Sequence, residues 1–70
     1  MLEIEIENPL GRPNFKLRGE DENQVNEAAI EFQKALNIID HLPYNMTNST
    51  EQVRLCKKDI EDKYQIEITM

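Results

Sequence analysis

Asp40-His41 is the one place in the chain where a carboxylate neighbours the imidazole, and Cys56 is its single thiol. An acid, an imidazole and a nucleophile are the parts of acyl-transfer chemistry, provided that a base reaches the nucleophile and a third group orients the base. Asp40 and His41 are consecutive in a helical stretch, so their side chains diverge. His41 falls opposite the apolar side of that helix and near its C-terminus, where a cation complements the helix dipole. Cys56 sits between Val53 and Ile60 on an apolar helical face, and free cysteine is among the most buried residue types. A reactive thiol needs exposure and cations beside it, but Lys57 and Lys58 point toward the rim and outer face. One Cys and one His do not make a metal site, and there is no glycine-rich phosphate loop. The chain reads as no enzyme, with no catalytic, cofactor or metal residue.

Seventy residues make one small domain spanning 1–70. A chain of this size buries only about 60% of the surface exposed by its unfolded form. Such domains gain stability from disulfides, a metal or association. With a single cysteine, a disulfide within the chain is excluded, which leaves association, and a homodimer is the expectation. Eight Lys and Arg stand against 14 Asp and Glu, a net charge of −6. That balance repels a phosphate backbone and argues against nucleic acid as a partner. It suits a solvated surface, a basic protein partner, or mimicry of nucleic acid. No stretch approaches the roughly 20 apolar residues of a membrane span. Glu3, Glu5 and Glu7 stand where a signal peptide carries basic residues. A soluble, cytoplasmic protein is expected. The sequons Asn45-Met46-Thr47 and Asn48-Ser49-Thr50 then read as turn and capping chemistry.

The element that organises the rest is a helix over 21–42. From Val25 onward, Ala28, Ala29, Phe32, Ala35, Leu36 and Ile39 recur at i, i+3, i+4, i+7 and share one side. Asp21 is placed to cap it, with Gln24 three residues on, and Pro43 stops it. Residues 2–7 alternate apolar with acidic, 14–18 alternate again, and 65–70 alternate a third time, which is the period of a half-buried strand. Two prolines and a glycine between the first two runs make a hairpin loop. Asn48, Ser49 and Thr50 can cap a second helix running to about Lys63, with Val53, Cys56, Ile60 and Tyr64 inward.

The order is ββααβ, which predicts an α+β two-layer domain: a three-stranded antiparallel sheet with both helices on one face. Ile4, Ile6, Phe32, Leu36, Ile39, Ile60, Ile66 and Ile68 are expected to be buried. Lys16 and Arg18 fit between the first-strand glutamates and Glu67, which favours strand order 1-2-3. The shortness of the second strand argues the other way. In that order the strand over 65–70 is an edge guarded by Glu67 alone, and it offers one route to a dimer.

Some apolar residues do not fit this scheme. Ile30 and Ile38 fall off the stripe of the first helix at about 100° per residue. Leu55 is misplaced in the same way on the second helix, and Tyr44 and Met46 lie in the loop between the helices. Ile30, Ile38, Leu55, Tyr44 and Met46 are therefore the candidate partner-binding residues. They point to a non-catalytic interaction module, an inhibitor, adaptor or small subunit that binds another protein. The alternative is a regulator related to nucleic acid, acting as a mimic or as a dimeric binder. KH-type RNA-binding domains also place two helices between strands, but they need a GXXG loop there. Residues 42–47 have no glycine and no basic flank.

Overall fold

A computed structural model describes residues 1–9, 11, 13–41 and 49–69. Strand β1 (Leu2–Ile6) and strand β2 (Phe15–Gly19) precede helix α1 (Glu22–Asp40) and helix α2 (Ser49–Tyr64), and strand β3 (Glu67–Thr69) follows. The sheet has order β1-β2-β3 with both pairs antiparallel. This is the expected ββααβ domain with the second strand central. In the register, Glu3 faces Arg18, Glu5 faces Lys16 and Arg18 faces Glu67. Alternating charge across neighbouring strands is thus compatible with a short central strand.

Side-chain alternation separates the two faces of the sheet. Ile6, Phe15, Leu17 and Ile68 are buried toward the helices, while Glu3, Glu5, Lys16, Arg18, Glu67 and Thr69 are exposed. Helix α1 lies against β1 and β2, and α2 lies against α1 and β3. Val25, Ala28, Ala29, Phe32, Leu36 and Ile39 form the buried stripe of α1. Phe15 and Phe32 meet edge to face, with ring centroids 4.9 Å apart and planes at 70°. That geometry contributes about 0.5–1.5 kcal/mol beyond the area it buries. Ile4 and Ile66 were expected to be buried but are only half-buried against the core. Ile4 lies on an edge strand with a neighbouring strand on one side only, and Ile66 lies before β3, where the chain leaves α2.

Local chemistry sets the ends of the elements. The Asp21 carboxylate accepts hydrogen bonds from the N–H groups of Asn23 (2.9 Å) and Gln24 (3.3 Å), which makes Asp21 the N-cap of α1. Helix α1 ends at Asp40 rather than 42, with His41 as its C-cap. Between β1 and β2, the Gly11 N–H donates to the Asn8 carbonyl at 3.2 Å. Gly11 has φ +142°, a conformation that side chains rarely adopt. A Cβ on Gly19 would sit 2.9 Å from Ile66 Cγ2 and 3.0 Å from Val25 Cγ2, so only hydrogen fits where β2 passes α1.

Strand β3 is shorter than the expected 65–70 because α2 uses the first two of those residues. Gln65 adopts φ +55°, and the Ile66 N–H donates to the Glu61 carbonyl at 3.3 Å. That six-to-one hydrogen bond with a left-handed residue at its centre is a Schellman cap. The Gln65 side-chain amide donates to the Asp62 carbonyl at 2.7 Å and supports the turn.

Candidate protein-interaction surface

Helix α2 runs back along α1, so Lys63 meets Glu31 while Leu55 and Gln52 lie toward Ile38. Among the described side chains of α2 only Ile60 is buried; Val53, Cys56 and Tyr64 are half-buried against the core. A groove of about 540 Å³ lies between the two helices. Ala35, Ile38, Ile39, Leu55, Cys56 and Ile60 supply its apolar lining, and Glu31, Gln52, Asp59 and Lys63 its polar rim. Ala35 is the smallest of the side chains that line it. A methyl side chain at that position on α1 cannot fill the space across to α2.

The sequence-predicted surface residues separate into three places. Ile38 and Leu55 line this groove and stay 65% and 49% exposed. Ile30, 57% exposed, lines a neighbouring hollow with Glu27, Lys34 and Tyr64. Tyr44 and Met46 lie outside the described residues. Ile30, Ile38 and Leu55 are thus not buried where the two helices meet.

The two hollows share Glu31. Lys63 Nζ donates to Glu31 Oε1 at 3.0 Å and lies 5.2 Å from the centre of the Tyr64 ring. The Lys63 hydrogen bond holds the Glu31 carboxyl below its ordinary pKa, against partial burial, and the Tyr64 hydroxyl assists. The same pair raises Lys63, chiefly through the hydrogen bond to Glu31. Glu31 Oε2 is enclosed and has no hydrogen-bond partner of good geometry. No local pattern announces this cluster, because Glu31 and Lys63 are 32 residues apart.

Cys56 is half-buried in the floor of the groove. Burial raises its thiol pKa, and the negative charges of Asp59 and Glu31 raise it further. A thiol held protonated in this way is a poor nucleophile at neutral pH. Nδ1 of His41 lies 2.7 Å from the Asn37 carbonyl, so the ring folds back onto the end of its own helix. Among the described residues no group of three His, Cys, Asp or Glu side chains is placed to hold a metal. No helix there is long and apolar enough to cross a membrane. No protein-family model, curated protein or solved structure matches the chain, and its functional reading rests on its own residues.

Proposed function

We propose that this chain is a cytoplasmic, non-catalytic interaction module that binds another protein through the groove between α1 and α2. The observation that carries the reading is the pairing of Ile38 with Leu55. Two large apolar side chains, one on each helix, line one concave surface and remain open to water. Fully burying a side chain of this kind is worth about 1.5–3 kcal/mol, a gain that a partner can realise. Glu31, Asp59 and Lys63 on the rim supply both signs of charge for orienting it. An amphipathic helix laid along the groove is the form of partner that this shape suits. The raised Cys56 thiol fits a packing role rather than a nucleophilic one.

Capture from the native host with identification by mass spectrometry tests this directly. A partner retained by the wild-type chain should be lost by the variant carrying Ile38→Glu plus Leu55→Glu, while the thermal melt of that variant stays unchanged. Retention of the same partner by both proteins overturns the groove as the binding site. Salt separates the reading from nucleic-acid mimicry, since a mimic releases its partner steeply as salt rises and an apolar groove does not. A second copy of the chain is the other occupant. Light scattering identifies it as a mass above 8.2 kDa that the same two substitutions return to the monomer value.

A further inference from the structure

We propose that the outer edge of β1 accepts a short basic strand from another polypeptide, which becomes the fourth strand of the sheet. The two sides of the sheet are not equivalent. On β3 the Ile68 N–H donates to Glu61 Oε2 at 2.9 Å, and the preceding Ile66 N–H is held by the Glu61 carbonyl. Helix α2 has therefore already paired the amides with which that edge would recruit a strand.

The opposite edge has no such cover. Because the Ile68 amide points away from β2, Ile68 and its register partner Leu17 form a non-hydrogen-bonded pair of the antiparallel ladder. Groups alternate along a strand, so Leu17 turns its N–H and C=O toward its partner Ile4 on β1. Glu3 and Glu5, one residue to either side of Ile4, must then direct their N–H and C=O groups outward. Among the described residues no backbone hydrogen bond outside the ladder reaches these groups.

Side chains on the two faces specify what fits. Glu3 and Glu5 are exposed on the open face. On their inner side stand their register partners Arg18 and Lys16, with Arg18 Nε 4.0 Å from Glu3 Oε2. On their outer side no cation among the described residues is placed against them. Lys or Arg on an added strand would occupy that position, since opposite charges across neighbouring strands are favourable. On the helical face Leu2 and Ile4 are only half-buried, and toward the Ile6 end of the strand a hollow of about 300 Å³ is lined by Glu5, Ile6, Glu7, Gln33, Leu36 and Asn37 among others. Apolar side chains at alternate positions of the added strand would cover Leu2 and Ile4. A second copy of β1 does not meet this requirement, because self-pairing sets glutamate against glutamate across the new ladder. The occupant is thus a heterologous strand of about the length of β1, alternating basic with apolar residues. Strand addition of this kind takes affinity from the backbone and specificity from alternate side chains.

A synthetic peptide alternating Lys with Val is the probe, followed by fluorescence anisotropy and by amide hydrogen exchange of the full chain. Binding should slow exchange at Glu3 and Glu5 and leave Ile4, already paired with β2, unchanged. The same peptide N-methylated at alternate residues should not bind, and neither should a peptide alternating Glu with Val. Glu3→Lys plus Glu5→Lys should weaken the basic peptide about tenfold and exchange the preference for the acidic one. Should that variant fail to fold, Glu3→Gln plus Glu5→Gln must still weaken binding of the basic peptide. Equal binding of the N-methylated peptide would reduce the interaction to charge adsorption and overturn the proposal. So would the absence of protection at Glu3 and Glu5 with any peptide, or protection by a second copy alone. The Ile38→Glu plus Leu55→Glu variant should bind the peptide normally, so that groove and edge can fail independently.

Discussion

Glu31 is the residue whose role depends most on neighbours remote in sequence. Its carboxylate closes the end of the groove by accepting from Lys63, and both side chains remain substantially exposed, at 41% and 60%. Water screens such a pair, so its contribution to stability is small at neutral pH and falls further with salt. Its pH dependence follows from the shifts. Glu31 is lowered from 4.5, so its contribution is present above that value and lost as pH falls through the folded-state pKa. Lys63 is raised from 10.5, so its contribution is present below that value and lost as pH rises through the folded-state pKa. The melting temperatures of wild type and Glu31→Gln should therefore differ by a constant amount between about pH 6 and pH 9 and converge in acid. A gap that widens in acid would mean that the Lys63 hydrogen bond does not set the pKa of Glu31.

Helix α2 ends in a way that leaves room for improvement. Gln65 occupies the left-handed position of the cap, at φ +55°, where a side chain strains the backbone and glycine does not. Gln65→Gly should raise stability by about 0.5–1 kcal/mol in urea denaturation, since the native conformation suits glycine. The substitution also removes the hydrogen bond to the Asp62 carbonyl. A loss of stability would show that this hydrogen bond outweighs the backbone strain. Nothing in the period-2 alternation of 65–70 indicates that Gln65 and Ile66 belong to the end of a helix rather than to a strand. Local apolar spacing counts side chains and is silent about which carbonyl an amide will reach.

For the molecule as a whole, the protected edge of the sheet governs how copies can meet. Glu61 stands between Lys57, 3.8 Å from its Oε1, and the Ile68 N–H that its Oε2 accepts. Glu61→Ala frees that amide and should cost about 1.5–3 kcal/mol for the lost hydrogen bond to a charged acceptor. The variant should also self-associate through β3, because an uncovered edge strand pairs with other edges. Light scattering over a concentration series should show a higher mass for Glu61→Ala than for wild type, whereas Glu61→Gln, which keeps an acceptor, should match wild type. Equal masses for all three would mean that Glu61 does not guard the edge.

The order of elements, the inward and outward faces of each strand and the buried stripe of α1 are all legible in the sequence. These features repeat at the period of the backbone, so Val25, Phe32, Leu36 and Ile39 are sorted by spacing before any tertiary contact is considered. Charge on Lys16 and Arg18 further indicated the central strand, because cross-strand partners are set by register. That Ile30, Ile38 and Leu55 lie off the buried stripe follows from the same helical arithmetic, but that the neighbouring helix leaves them exposed does not. That Ile38 and Leu55 line one groove while Ile30 lies in a neighbouring hollow does not follow from it. It depends on how α2 packs against α1, a contact between distant segments that brings Ala35, Cys56 and the Glu31–Lys63 pair together. The closure of β3 likewise rests on Glu61 reaching Ile68, a contact between helix and strand that spacing does not announce. Periodicity records which way a side chain points; only packing between distant segments decides what it meets there.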